Sequence, residues 1–361
     1  MSNVRRCVRL GQRALGRAFD LLYVNGTRYA CYDQTAYLTK HPTPELRAVG
    51  FDWTLYEVMA GERDRVRTYR HDIEATVRGK TVLEIGPGPT AVFTQIAAEA
   101  GAELVVAVEA SPWVATEARR RVRRFGNRVV VLARHTDDLS AAELGGRRHF
   151  DVLVVESYHA IASQEGVVET LQRLRENGFT FTEVISRGFS TYVAPSVAPV
   201  SGPMTGIERW AMGWPAGRRR ADAAMEVRTS SLHGDMTRIA SYRLASSQLW
   251  QRADFESVPD LLTVTPLTFV VARAEDYAGL QFFNRFHFHH EDLDTGTTPT
   301  SWGVYFVPLP IVGAAAEPAP FSPAAGPALF ILSTRLPDPG RSATVELRAE
   351  LAGHPSAALR L

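Results

Sequence analysis

Lysine and cysteine are almost missing from this chain. The only lysines are Lys40 and Lys80, so nearly all of its positive charge is carried by arginine. That bias reflects genomic base composition before it reflects function. The only cysteines are Cys7 and Cys31, too few for a disulfide scaffold or a cysteine-rich zinc site. No apolar run approaches the length of a membrane span. Neither sign of charge dominates, the formal net charge being +1, so bulk electrostatics does not demand nucleic acid as a partner. The N-terminus interleaves Arg5, Arg6, Arg9, Arg13 and Arg17 with Val4, Val8, Leu15 and Phe19. That is the pattern of a basic amphipathic helix, without the uninterrupted apolar stretch of a signal peptide. We expect a terminal helix packed on its own protein or on a second subunit rather than on a membrane, and a cytoplasmic setting.

What the chain does have is enough apolar material, 45% of 361 residues, for a real core and two domains. Residues 45–73 pattern as helix. Residues 82–85 read as a short buried strand stopped by Gly86 and Pro87, and 91–100 as the helix after it, ended by Gly101. A second strand over 104–108 precedes Ser111 and Pro112, which open another helix. Further strands fall at 129–132 and 152–155, and helix at 166–175. This alternation predicts a mostly parallel sheet covered on both faces, with its ligand beyond the carboxyl ends of the strands. Past Gly178 the composition turns to Phe, Val, Thr, Pro and Ser in short alternating runs at 179–184, 263–271, 302–307, 328–333 and 343–347. These predict a mainly antiparallel, β-barrel-like domain. Residues 314–327 read as a loop, and 208–225 as an apolar–basic excursion. The expected organisation is a helical extension over 1–50, a Rossmann-like domain over 51–178 and the β domain over 179–361.

Residues 81–90 read TVLEIGPGPT, and 105–111 read VVAVEAS. Gly86 and Gly88 permit a tight turn and close approach of backbone to ligand. Glu84 precedes that turn, Pro87 lies inside it, and Glu109 with Ala110 closes the second strand. A dinucleotide fingerprint needs a third glycine and a helix N-terminus that receives pyrophosphate. Here Gly88 is followed by Pro89, Thr90 and Ala91, a stretch short of amides. The Glu109 carboxylate can accept hydrogen bonds from both hydroxyls of a ribose. The expected cofactor is S-adenosylmethionine, with NAD and a purely structural turn as the alternatives. Thr136 and Asp137 follow the third strand; a carboxylate there either meets an adenine amino group or forms a solvated acidic turn.

Four pieces in order resemble the protein arginine methyltransferases. TVLEIGPGPT with VVAVEAS is similar to the cofactor turn and ribose carboxylate of that family. YEVMAGERDRVRTYR, from Tyr56 to Arg70, resembles the helix before the sheet. The resemblance implies that this helix lies over the cofactor, that Arg65 binds the methionine carboxylate and that Met59 sits near the sulfonium. ESYHAIASQE, from Glu156 to Glu165, resembles the double-glutamate loop in spacing and in following a sheet strand. Thr300, Ser301 and Trp302 resemble the β-barrel loop that borders the substrate site. The chain departs from the family in its GPGPT turn, in Glu62 for an aspartate, in Ser301 for a histidine, and in Ser157 and Tyr158 for Trp and Met. Tyr56, Glu62, Tyr158, Ser301 and Trp302 are the expected substrate-side residues. The family's dimerisation arm implies a homodimer, with 208–225 as a candidate contact.

Methyl transfer from a sulfonium is an in-line displacement on an acceptor that must then lose a proton. Two carboxylates suit a guanidinium, because they form fork-like charge-assisted hydrogen bonds and align one terminal nitrogen. Glu156 and Glu165 are therefore the expected clamp, with Glu165 first to receive the proton. His159 is a candidate acceptor for a non-guanidine substrate, or a packed or solvent-facing side chain. His287, His289 and His290 near Glu291, Asp292 and Asp294 invite comparison with a metal site. Alternate strand residues face opposite ways, so a strand edge beside the substrate entrance is expected instead, with direct substrate contact as the alternative, and no metal. The function expected is N-methylation of a guanidine or amine, free, in a peptide or in a small molecule. An O- or C-methyltransferase of a small metabolite and a non-catalytic scaffold are the alternatives.

Overall fold

A computed structural model describes residue 56 and residues 59–159, 161–197, 227–229, 236–257, 260–300, 302–309, 311, 326–335, 345–356 and 358–360. The expected N-terminal extension and the 208–225 excursion lie outside these residues, as do Ser301 and most of the 314–327 loop.

The first layer is a helix, α1 (Arg63–Thr76), laid on a five-stranded parallel sheet. Its strands are β1 (Thr81–Ile85), β2 (Leu104–Glu109), β3 (Val129–Ala133), β4 (His149–Val155) and β5 (Thr180–Ile185), in the order β3-β2-β1-β4-β5. Helices α2 (Val92–Glu99), α3 (Pro112–Val122) and α4 (Val167–Glu176) connect them. Every residue of β1 is buried, as a central strand covered on both faces requires. The chain runs outward from β1 to β2 and β3, then returns to its other side at β4. That reversal opens a crevice at the carboxyl end of β1. The glycine turn lies there.

The parallel sheet continues past residue 178. β5 pairs in parallel with β4, Thr180 opposite His149 and Ile185 opposite Val154. Its alternating pattern suggested the second domain because an edge strand is half-exposed along its first residues. β5 thus belongs with the parallel sheet rather than with the antiparallel strands that follow.

Beyond it come β6 (Gly188–Ser196), β7 (Val227–Thr229), a short α5 (Met236–Ser241), β8 (Gln248–Asp254) and β9 (Leu261–Thr263). β10 (Leu267–Val271), β11 (Gly279–His287), β12 (Leu293–Asp294) and β13 (Val304–Pro308) follow. β14 (Ala328–Arg335), β15 (Glu346–Leu351), β16 (His354–Pro355) and β17 (Leu359–Arg360) complete the described strands. They form two antiparallel sheets, one built around β13-β11-β6-β8 and the other around β10-β14-β15. Trp250, Phe269, Phe282, Phe330 and Leu347 fill the space between them.

The two domains share a core. Phe189, Phe255, Phe286, Phe288 and Trp302 join the buried cluster of the parallel sheet. Tyr69 of α1 stacks on Phe93 at 4.4 Å, meets the edge of Phe288 at 4.8 Å, and donates its hydroxyl to the Val155 carbonyl at 2.9 Å. Asp72, fully buried on the same helix, accepts from the His289 amide at 2.7 Å and pairs with His290 Nδ1 at 2.6 Å. Among the described residues no helix is long and apolar enough to cross a membrane.

Candidate active site

The glycine turn is built for close approach. Gly86 and Gly88 adopt φ of +69° and +62°, a region that L side chains rarely enter. A Cβ on Gly86 would come 3.6 Å from Ser157 Oγ, and one on Gly88 would come 3.3 Å from the Tyr56 ring. Tyr56 and Ser157 thus roof the turn, with Pro87 buried beneath them. At the end of β2, Glu109 is buried and its carboxylate accepts from the Ser111 amide at 2.9 Å. Burial pushes its pKa up while the nearby backbone amides of Ser111, Gly88 and Ala110 oppose the shift. Ala110 itself is exposed at the mouth of the crevice.

Glu84, also predicted to contact the cofactor, lies below the turn rather than on it. It is 2% exposed and accepts from the Thr94 hydroxyl of α2. Burial pushes its pKa up to about 8; Thr94 opposes this, and the charges of Glu156 and Glu109 add to it. Between the ordinary value of 4.5 and about 8, the folded state keeps a proton that the unfolded chain releases. The stability present below that window is therefore lost as pH rises through it. Glu84→Gln removes this titration, so the variant should gain thermal stability on the wild type between pH 5 and pH 8. Melting curves at the two pH values check this; a gap that stays constant would exclude Glu84 as the titrating group.

Arg65 is the hub of the site. It is 3% exposed on α1, and its guanidinium bonds Glu156, lies 3.2 Å from Glu62 and donates to the Met59 carbonyl. Its cationic carbon sits 5.6 Å from the Phe93 ring centre and 5.5 Å from that of Trp302. Burial works against its charge, but Glu156 and Glu62 outweigh that and raise its pKa. Glu62, at the N-cap of α1, is also buried, and Met59 is half-buried one turn earlier.

The two loop glutamates differ in setting. The Glu156 side chain keeps 17% exposure, and burial raises its pKa against the pull of Arg65. Glu165 is exposed at the end of a short 3-10 turn, Ala162–Glu165. Burial raises the pKa of the Tyr56 hydroxyl, and the charges of Glu109, Glu165 and Glu156 add to it.

Other expected site residues are placed differently. Tyr158 turns away from the crevice into the domain junction, between Phe286 at 4.6 Å and Trp302 at 5.8 Å, with its hydroxyl 2.5 Å from Ser186 Oγ. His159 is half-buried with its ring edge-on to Tyr305 at 6.4 Å. Trp302 is 5% exposed and packs on Phe286 at 4.3 Å, so it borders Arg65 from the second domain. Thr136 is buried beyond β3, while Asp137 pairs with Arg173 of α4 at 3.3 Å. The histidines diverge: His287 bridges Asp292 at 3.1 Å and Ser190 at 2.9 Å, whereas His289 and His290 hold Asp72.

Sequence reading missed Thr94, Asp72 and Asn284. The one local signal was polarity at apolar-phase positions, such as an asparagine between Phe282 and Phe286 in β11.

A parallel sheet with a glycine turn at its reversal point and a buried carboxylate on the next strand defines a Rossmann-like nucleotide-binding fold. No sequence family and no curated protein sequence matches the chain. Solved structures do. Trypanosoma brucei PRMT1, in its enzyme–prozyme heterotetramer with AdoHcy, aligns with a TM-score of 0.57 at 17% identity, over 86% of this chain and 98% of its own. Arabidopsis thaliana protein arginine methyltransferase 10 gives 0.58 at 16%, over 86% and 97%. A PRMT6 structure gives 0.54 at 17%, over 83% and 100%. The chain has the fold of the protein arginine methyltransferases, in both its domains and at low identity.

Proposed function

We propose that the chain is an S-adenosylmethionine-dependent N-methyltransferase acting on a guanidine or amine nitrogen. The observation that carries this reading is the buried Glu109 on the strand beside the glycine turn, together with Glu156, held by Arg65, and Glu165 on the loop that follows β4. One carboxylate suits a ribose and two suit an acceptor. The structural neighbours are methyltransferases whose solved forms include AdoHcy and SAH complexes, which agrees with it.

The residues fit the cofactor. Glu109, held by the Ser111 amide, would accept from the ribose hydroxyls. Gly86 and Gly88 let the backbone approach the ligand, and Arg65 supplies a cation for the amino-acid carboxylate. When bound, S-adenosylmethionine supplies an electrophilic methyl group on a sulfonium. Glu156, fixed by Arg65, accepts from one side of the acceptor guanidinium, and the exposed Glu165 accepts from the other. This fork aligns one nitrogen and localises positive charge on the rest of the group. An acceptor nitrogen must lose a proton on methylation, and Glu165 would take it and pass it to water. The acceptor is read as free arginine, a peptide arginine or a small amine. The protein is read as a cytoplasmic homodimer.

The test is a radiolabelled methyl-transfer assay against free arginine, arginine peptides, amines and hydroxyl or carboxyl acceptors, with AdoHcy titrated in a calorimeter. A methylated nitrogen product is expected, with AdoHcy affinity reduced about 10-fold or more in Glu109→Ala, which loses two charge-assisted hydrogen bonds. Turnover confined to hydroxyl or carboxyl acceptors would sink the nitrogen assignment.

A further inference from the structure

The segment from Glu156 to Glu165 leaves the parallel sheet at β4 and returns at α4, yet part of its anchorage comes from the second domain. Asn284 of β11 is fully buried, and its side chain spends both polar ends on this segment. Its amide nitrogen donates to the His159 carbonyl at 3.3 Å, and its oxygen accepts from the Ala162 amide at 3.3 Å. Thr191 of β6 donates to the same oxygen at 2.8 Å, which fixes the side-chain orientation. The Thr295 hydroxyl accepts from the Asn284 backbone amide at 2.9 Å. A second tie lies nearby, where the buried Ser163 donates to Gln251 Oε1 of β8 at 2.8 Å. Both attachments fall between the two glutamates.

Buried side-chain amides are costly unless their hydrogen bonds are made. An asparagine in this apolar strand needs a structural reason, and here it satisfies backbone groups of a loop from the other domain. We propose that Asn284 is a positioning residue: from the β domain, it sets the backbone between Glu156 and Glu165, with Gln251 as its accessory. The acceptor-side domain thereby controls the alignment of the clamp. This inference rests on the functional reading above and adds a residue to it. Misplacing a reacting group by about 1 Å is enough to cost about 100-fold in rate.

Asn284→Leu keeps the shape and removes both loop bonds. Asn284→Asp keeps the accepting bonds and turns an oxygen towards the His159 carbonyl. In Asn284→Leu, kcat should fall by about 10- to 100-fold while acceptor KM changes little. AdoHcy affinity by calorimetry should stay within about 3-fold, because Glu109 and the glycine turn are untouched. Amide hydrogen exchange at Ala162 and its neighbours should accelerate, and Asn284→Asp should fall between Asn284→Leu and the wild type. Thr191→Val, which spares both loop bonds, should show a smaller loss than Asn284→Leu. If Asn284→Leu does not fold, Asn284→Asp and Ser163→Ala carry the same exchange and kcat measurements. Unchanged kcat together with unchanged loop exchange in the folded variants overturns the proposal. A wild type that methylates no nitrogen overturns the functional reading instead. Exchange needs no turnover, so faster loop exchange in the variants would still support the tether.

Discussion

Glu156→Gln is expected to slow methyl transfer by about two to three orders of magnitude, the scale of losing one preorganised charge at a reacting centre. AdoHcy affinity should change only a few-fold. In the proposed clamp, Glu156 is the half that Arg65 fixes, so its carboxylate would be already oriented when an acceptor arrives. The amide keeps the shape and loses the charge. Arg65 retains Glu62 at 3.2 Å, which limits the damage to stability and separates a catalytic loss from unfolding. The pH profile offers a second readout. Burial raises the Glu156 pKa, with Arg65 opposing, so the wild-type rate should begin to fall on the acid side above the ordinary carboxylate range. The variant should lack that limb. Normal turnover in Glu156→Gln would reject the clamp.

The second large effect is expected from Arg65→Met. This change leaves buried Glu62 and half-buried Glu156 without their common cation. Removing one partner of a buried ion pair costs roughly 3–5 kcal/mol, so thermal unfolding should drop by several degrees and AdoHcy binding should weaken. Without the arginine, burial raises the Glu156 pKa unopposed. Its contribution is intact below the unfolded pKa and is lost as pH rises, so the stability deficit should be larger at pH 8 than at pH 5. Arg65→Lys should rescue only part of the loss. A single ammonium does not reproduce the planar fork that reaches Glu156, Glu62 and the Met59 carbonyl. In the double variant Arg65→Met/Glu156→Gln, stability should recover relative to Arg65→Met because one stranded charge is gone, while activity should not. Additive losses would show that the two side chains do not act as a pair.

These two predictions concern residues far apart in sequence, and that separation marks what was legible. Gly86 and Gly88 were legible because a turn with positive φ leaves its mark on a few consecutive residues. Glu109 was legible because it ends an apolar strand at the interval a helix demands. β5 was misplaced because a half-exposed edge strand and a strand of an antiparallel domain share the same alternation. Tyr158 was read as facing the substrate because its loop position is next to Glu156, but its hydroxyl reaches Ser186 in the domain junction. The grouped histidines looked like one cluster along the chain; packing sends His287 to Asp292 and His290 to Asp72.

By itself, the sequence determined the parallel sheet, the antiparallel strands after it, and the glycine turn with Glu109 at the end of the next strand. Each is written in local periodicity or in backbone conformation. Only the tertiary structure decided that Arg65 serves Glu156 and Glu62 at once, that Glu84 is a proton-holding residue beneath the turn, and that Asn284 reaches the loop from the second domain. Arg65 and Glu156 are 91 positions apart, and Asn284 and Ala162 are 122 apart. No periodicity spans such distances. Those pairings arise because buried charges and amides must find partners wherever the folded core brings them.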